Sequence, residues 1–291
     1  MEKSIAITYL TCTYNRQSEL KGLYRSLLNQ TINNFVWMII DDGSRDDTEQ
    51  IVNQWINEKT IPIKYYKIKN GGKHRAINYA IPKLSTELVM VIDSDDWLVN
   101  DCSKIITNYW KKYKGKNKVA QMTFERGITI EKPLVKINQM TIAPRYDYIE
   151  KYWKYGDYND VFMVSALKNF RLPEFRGEKF ISEQPLYYYF SSKYNTLFVD
   201  KIIAVGDYRI DGLTRNIRKL QINNYQGTLY TLNLEVTRRT PFLSRLKHMV
   251  LYDYIAIKSK KKLSSAINES NNLLLCLFCL PISYLVVKAN I

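Results

Sequence analysis

The sequence predicts an α/β protein with a mostly parallel central sheet flanked by helices and a helical extension at its C-terminal end. Over roughly the first hundred residues, short apolar runs alternate with segments of helical periodicity. Three of the apolar runs stop abruptly in polar clusters, at Thr13–Asn15, Asp41–Ser44 and Asp93–Asp96. Parallel sheets bind ligands beyond the carboxyl ends of their strands, so these clusters should gather on one rim.

Residues 4–10 are a short apolar run, as expected of a strand buried on both faces. Residues 18–29 place Leu20, Leu23, Tyr24, Leu27 and Leu28 at helical spacing. Residues 35–40 predict a second buried strand. Residues 46–55 predict a helix, with acidic residues favouring its first turn and Ser44 with Asp47 resembling a capping box. A third strand is expected over 63–68, a helix over 74–84 and a fourth strand over 88–92. Residues 100–220 are less regular. They suggest a basic helix end or loop at 110–118 and strands at 121–125 and 128–130. A helix packed against the sheet follows at 177–190, then a short strand at 202–205. Beyond about residue 213 the pattern is mainly helical and basic. Residues 1–220 should therefore form the sheet domain, and residues 221–291 a helical, basic and apolar C-terminal region.

The chain carries 43 Lys and Arg against 28 Asp and Glu, a formal net charge of +15. Such a balance suits nucleic acid, an anionic membrane surface or phosphate-bearing substrates. No recognised RNA or DNA module accompanies it, so a nucleic-acid partner is not expected. The four cysteines, Cys12, Cys102, Cys276 and Cys279, imply no disulfide framework, and Cys276 with Cys279 reads as an apolar helix face. No signal-peptide pattern opens the sequence, which points to a cytoplasmic catalytic region. The uncharged run 273–287 would reach only ~23 Å as a helix, short of a ~30 Å hydrocarbon core. Lys258-Ser259-Lys260-Lys261-Lys262 lies upstream. Two readings stand side by side: attachment to an anionic membrane surface, or a buried helix that caps the domain.

Asp93-Ser94-Asp95-Asp96 puts three carboxylates into four residues at a strand end. They repel one another unless a cation neutralises them, and oxygen ligands suit Mg²⁺ or Mn²⁺ together with substrate phosphates. The plainer reading is an acidic turn with Asp96 capping a helix. In Asp41-Asp42-Gly43-Ser44 a carboxylate can accept hydrogen bonds from a nucleobase or ribose, or simply serve a turn. Asn70-Gly71-Gly72-Lys73-His74-Arg75 joins glycines to basic residues just before a helix, an arrangement that suits a diphosphate. No P-loop pattern is present, so ATP hydrolysis is unsupported. Glu183 is a candidate proton acceptor, although such a residue is more often an ordinary solvated helix position. His74 and His248 are the only histidines, and no Ser-His-Asp or Cys-His order points to nucleophilic hydrolysis.

Taken together, these blocks resemble family 2 glycosyltransferases, which have the GT-A fold. Thr11-Cys12-Thr13-Tyr14-Asn15, Ile39-Ile40-Asp41-Asp42-Gly43-Ser44 and Asn70-Gly71-Gly72-Lys73 come in the family's order, followed by Val91-Ile92-Asp93-Ser94-Asp95-Asp96. A weaker match runs through residues 177–184 and Asp211-Gly212-Leu213-Thr214. The resemblance implies an inverting transfer from a nucleotide-diphosphate sugar, with UDP-sugars the first expectation, to a hydroxyl of a glycan or lipid-linked acceptor. It further implies that Thr13, Tyr14, Asn15, Asp41 and Asp42 line the nucleotide pocket. Asn70, Gly72 and Lys73 would lie near the diphosphate, with Ser94 inside the donor loop. Asp93 and Asp95 would hold the divalent cation, Asp95 more directly, and Glu183 would be the catalytic acid-pair residue. Cys12 replaces a usual proline, Arg45 a common threonine, and Gln184 the second member of the acidic pair. The Gln-x-x-Arg-Trp motif of processive synthases is absent, so one sugar per acceptor is expected. The implied setting is cell-envelope or capsular polysaccharide synthesis at the inner face of a bacterial plasma membrane. The alternative is an impaired, donor-binding assembly subunit on the same fold.

Overall fold

The computed structural model describes residues 7–206, 217–237 and 240–289. The first part of the chain alternates as expected: β1 (Ile7–Thr13), α1 (Gln17–Leu28), β2 (Phe35–Asp41), α2 (Thr48–Glu58), β3 (Ile63–Lys67), α3 (Lys73–Ala80) and β4 (Leu88–Val91). The next elements are β5 (Trp97–Leu98), α4 (Cys102–Tyr113), β6 (Val119–Gly127), β7 (Thr141–Ala143), α5 (Arg145–Tyr152), β8 (Tyr158–Met163) and α6 (Val164–Leu167). Then come α7 (Gln184–Lys193) and β9 (Asn195–Val205). The remaining helices are α8 (Ile217–Asn223), α9 (Tyr225–Glu235), α10 (Phe242–Lys258), α11 (Leu263–Asn268) and α12 (Leu273–Lys288).

All of these strands share one sheet, in the order β3-β2-β1-β4-β8-β6-β9-β5, with β7 also paired to β9. The four strands from β3 to β4 run parallel. β8 lies antiparallel to β4 and β6, β6 parallel to β9, and β5 and β7 antiparallel to β9. The parallel half is the part legible in the sequence, because helical crossovers bury both faces of its strands. Ile7, Tyr9, Leu10, Trp37, Ile39, Ile40, Leu88 and Met90 are accordingly buried. Beneath them Tyr24 of α1 stacks on Trp55 of α2 at 4.2 Å, and both stack on Trp37. The Trp37 indole donates to Thr11 Oγ1 at 3.0 Å, which satisfies its one polar atom.

Several elements depart from the sequence reading. The first strand reaches Thr13, three residues further than the apolar run suggests, because its ladder with β2 runs on to the pair Thr13–Asp41. Ser44 does not cap α2 through a box with Asp47. Asp46 Oδ1 instead accepts from the Thr48 N–H and hydroxyl. The helix expected over 74–84 ends at Ala80 and tightens into a 3-10 turn at Ile81–Lys83, where Pro82 has no N–H to continue it. Residues 121–125 belong to the longer strand β6, whereas 128–130 form a turn that Thr129 closes by accepting from the Glu131 and Lys132 N–H groups. The helix expected from residue 177 begins only at Gln184, with Pro185 in its first turn. The strand seen at 202–205 is the end of β9.

The chain divides into two compact units, and the division differs from the expected break at residue 220. The first holds the whole sheet, from the described residues up to Arg171 and again from Tyr189. The second takes Leu172–Tyr188 and the described residues from Ile217 onward. Its core gathers Leu229 and Leu232 of α9, Met249, Tyr252 and Ile255 of α10, and Cys276 and Cys279 of α12. Both cysteines are fully buried free thiols, as the apolar-face reading requires.

Asp253 of α10 lies in this core, 1% exposed. Its Oδ1 accepts from the Cys276 thiol at 3.1 Å, and its Oδ2 meets no donor among the described residues. Burial pushes its carboxyl up to about 6, against the lowering effect of the Cys276 hydrogen bond. A carboxyl that holds its proton more tightly when folded stabilises the fold at low pH, and that contribution is lost as pH rises through the folded value. The stability of the wild type relative to Asp253→Asn should therefore fall by about 1–2 kcal/mol between pH 4.5 and pH 7, as paired thermal-unfolding series will show. A flat difference across that range would contradict the assignment.

Candidate functional site

The polar clusters do meet at the carboxyl end of the parallel strands, and hydrogen bonds tie them to one another. The Thr13 carbonyl at the end of β1 accepts the Asp42 N–H at 2.8 Å. Asn15 takes a left-handed backbone, φ 51°, in which its N–H reaches Ser44 Oγ at 2.9 Å. Its side-chain oxygen accepts the Arg45 N–H at 2.8 Å. Asparagine tolerates this conformation better than most residues. Thr13 is buried, and Tyr14 stands between the tied residues with 42% of its surface exposed.

Asp41 and Asp42 both turn inward. The Asp41 carboxylate accepts the Ser44 N–H at 2.7 Å and the Tyr65 hydroxyl at 2.5 Å. Burial, together with the Asp41 charge, pushes the Tyr65 hydroxyl well above its ordinary value, so it remains a donor. Asp42 Oδ1 accepts the Gly71 N–H at 2.7 Å, and Oδ2 accepts the Gly72 N–H at 2.8 Å and Asn70 Nδ2 at 3.1 Å. Asn70 Nδ2 also donates to the Asp42 carbonyl at 2.9 Å. The two carboxylates thus shape the rim: Asp41 folds its own loop, and Asp42 fastens the glycine loop. Gly43, φ 83°, is required here, because a β-carbon would approach Asn70 N at 3.0 Å and Ile68 O at 3.1 Å.

The fastened loop leads into α3, whose first residue is Lys73. Lys73 Nζ lies 2.7 Å from Asp93 Oδ1, with side-chain exposures of 38% and 54%. The Lys73 ammonium holds the Asp93 carboxyl below the usual carboxylate range. A pair this exposed adds little stability.

Beyond β4 the chain turns through Asp93–Asp96, closed by Asp96 N–H to the Asp93 carbonyl at 3.2 Å. Ser94 and Asp96 are buried. The Asp96 carboxylate receives a two-pronged contact from Arg126 of β6, at 2.7 and 3.2 Å. Burial pushes the Asp96 carboxyl up to about 6, with Arg126 pulling the other way. Gly206 follows β9 here, and a β-carbon on it would fall on Asp96 Oδ1 and the Arg126 guanidinium. Asp95, half-buried, makes no hydrogen bond or ion pair among the described residues. The three acidic residues thus have three situations: Asp93 on Lys73, Asp96 on Arg126, and Asp95 open.

Among the described residues, no group of three or more His, Cys, Asp and Glu side chains is arranged to hold a metal ion. The all-oxygen pair Asp93 and Asp95 nevertheless fits a hard divalent cation that takes further ligands from substrate phosphates, since Asp95 has acceptor capacity to spare. Tyr65, Arg126 and Gly206 were not legible as site residues. Arg126 lies thirty positions from Asp96, and no local spacing links the two.

Glu183 belongs to the second unit. It stands just ahead of α7, where its carbonyl accepts the Leu186 N–H at 2.9 Å and its carboxylate accepts the Tyr187 hydroxyl at 3.2 Å. The segment before it is pinned to the start of α9. The buried Glu178 carboxylate accepts the Gln226 and Gly227 N–H groups at 2.8 and 2.9 Å, and Asn224 Oδ1 accepts the Lys179 and Phe180 N–H groups. An acidic group there satisfies helix-end donors and meets the positive end of the helix dipole. Asp211-Gly212-Leu213-Thr214 lies outside the described residues.

The sequence model of the family described as glycosyl transferase family 2 matches residues 8–171. Glycosyltransferase GlyA of Streptococcus pneumoniae is 30% identical over 95 residues, which are 33% of this chain and 14% of GlyA. The poly(ribitol-phosphate) beta-N-acetylglucosaminyltransferase TarS of Staphylococcus aureus is 30% identical over 94 residues, 32% of this chain and 16% of TarS. The matched stretch is thus a small part of either relative's length. Among solved structures, S. aureus TarS 1-349 in complex with UDP-GlcNAc superposes with a TM-score of 0.64 at 14% identity, covering 98% of this chain and 91% of that one. The mannosyltransferase PcManGT of Pyrobaculum calidifontis, in complex with GDP-Man and Mn²⁺, gives 0.57 at 14% identity, covering 97% and 80%. At these identities the likeness establishes the fold.

Because Asp42 fastens the Gly71–Gly72 turn, Asp42→Ala should destabilise the protein by about 2–4 kcal/mol, as it leaves buried N–H donors without their acceptor. Asp42→Asn should cost less, since it keeps one acceptor. Denaturant titration of the three proteins will test the order.

Proposed function

The chain belongs to glycosyl transferase family 2, and on that premise we propose that it transfers a single sugar from a nucleotide-diphosphate sugar to a hydroxyl of a glycan or lipid-linked acceptor. The observation that carries this reading is the continuous rim from Thr13 through Asp42 and the Gly71–Gly72 turn to Lys73 and Asp93. It offers one cation, Lys73, and an acidic turn within reach of each other, as a donor diphosphate requires. The UDP and UDP-GlcNAc complexes of TarS favour a UDP-sugar, and the Mn²⁺ of PcManGT favours a divalent cation.

Asp95 and Asp93 would hold that cation, which when bound neutralises charge developing on the leaving diphosphate. Lys73 shifts from Asp93 toward the donor phosphates and adds charge beside them. Tyr14, exposed between two tied neighbours, supplies a ring for the nucleobase. Asp41 and Asp42 act by holding this surface in shape. The acceptor oxygen attacks the anomeric carbon as the bond to the diphosphate oxygen breaks, inverting the configuration, and Glu183 takes the hydroxyl proton. The basic C-terminal region supports a setting at the inner face of a bacterial plasma membrane, in cell-envelope or capsular polysaccharide synthesis.

Gln184, where the family has a second acidic residue, favours one alternative: a donor-binding subunit that does not transfer. Donor hydrolysis by the purified protein, in a panel of UDP-, GDP- and dTDP-sugars with Mn²⁺, decides between the two. Asp95→Ala should lower turnover by about 10²-fold or more while leaving the melting temperature within a few degrees. Retained turnover in that variant with EDTA present would remove the cation from the reading. Glu183→Gln should keep donor affinity within about twofold and lower kcat by about 10²–10⁴-fold. Unchanged kcat would move the base to another residue.

A further inference from the structure

The last helix of the second unit is packed inside out. The face of α12 turned toward α10 carries Cys276, Cys279 and Ser283, all buried. Ser283 Oγ donates to the Val250 carbonyl at 3.1 Å, and the Cys276 thiol to Asp253. The opposite face carries Leu274 (81% exposed), Phe278 (65%) and Leu285 (68%), joined by Leu277 and Ile282. These positions recur at helical spacing and form one continuous stripe. A helix that only capped a core would point these large side chains inward and its small polar ones outward. No charged residue interrupts the run from Leu273 to Val287.

The partners on α10 show that the two helices run antiparallel, since Cys276 faces Asp253 while Ser283 faces Val250. The start of α12 therefore lies toward the end of α10, where Lys258, Lys260 and Lys262 are exposed. Its other end, with Lys288, lies toward Phe242 and Leu243, which are 58% and 57% exposed. An apolar stripe is thus flanked by positive charge at both ends.

We propose that α12 lies in the plane of an anionic phospholipid surface, with Leu274, Phe278 and Leu285 in the acyl boundary and Lys258, Lys260, Lys262 and Lys288 on the lipid phosphates. This deepens the membrane setting proposed above and needs nothing of the transfer reaction. At 16 residues the helix is too short to span, and no described helix is long and apolar enough to cross a membrane. Lying in the interface is the arrangement that buries one apolar face and keeps flanking lysines in the headgroups. A second copy of the chain fits less well, because both ends of the stripe carry lysines, so parallel and antiparallel pairing alike would set positive charge against positive charge.

The test uses the full chain with vesicles of phosphatidylcholine alone and of phosphatidylcholine with one third phosphatidylglycerol. Cosedimentation should occur on the anionic vesicles and weaken with salt. The triple variant Leu274→Gln, Phe278→Gln, Leu285→Gln should bind at least about tenfold more weakly. Lys258→Gln, Lys260→Gln and Lys262→Gln should each cost about fivefold on anionic vesicles only. Circular dichroism will confirm that the outward-facing variants stay folded. Wild-type protein left in the supernatant with both vesicles, or a triple variant that binds like wild type, overturns the proposal. So does a concentration-dependent dimer that the same triple variant abolishes without any vesicle binding, which would assign the face to a second copy. Titrations with UDP, GDP and dTDP run in parallel keep the readings apart. Donor binding without vesicle binding removes the surface alone, and vesicle binding without donor binding removes the transfer reading alone.

Discussion

The contact on which the rim depends is the Asp42 carboxylate and the two backbone N–H groups it receives from Gly71 and Gly72. A carboxylate taken out of water is costly unless several donors meet it, and the glycine turn provides them without a side chain in the way. The backbone N–H of the same residue reaches back to Thr13, so one aspartate joins the ends of two strands to the start of α3. Lys73 is placed by that junction, because it is the first residue after the fastened turn. The rim is therefore held by short, buried, charge-assisted bonds, while the groups that would meet a ligand stay exposed around it.

The acidic turn after β4 divides its charge in a matching way. Arg126 reaches Asp96 from β6, and the absence of a side chain at Gly206 makes room for both groups. Asp93 is matched by a half-exposed lysine, and Asp95 is left to accept. Repulsion among neighbouring carboxylates is thus relieved by one mostly buried cation and one half-exposed cation.

The second unit uses the same physics at a helix end. Glu178 meets the first N–H groups of α9, and Asn224 takes those of Lys179 and Phe180, so the stretch leading to Glu183 is held by acceptors and donors that would otherwise be orphaned. In the same unit two thiols, Cys276 and Cys279, occupy the inner face of α12, and the buried Asp253 carboxyl of α10 accepts from the first of them. The outer face is left to larger apolar side chains, which gives the helix its inverted character.

The sequence by itself determined the parallel half of the sheet and the gathering of Thr13–Asn15, Asp41–Ser44 and Asp93–Asp96 on one rim. Hydrophobic period and the direction of parallel strands fix those features locally. Only the tertiary structure decided which carboxylates face inward. Asp41 and Asp42 look alike in the sequence, and so do Asp93, Asp95 and Asp96, yet donors from Tyr65, the glycine turn, Lys73 and Arg126 sort them into separate tasks. It also decided the mixed half of the sheet, where β6 and β9 pair across most of the chain's middle, and which face of α12 is buried. These outcomes depend on partners distant in sequence, and no local pattern of apolar and polar residues encodes a partner that the chain brings in from elsewhere.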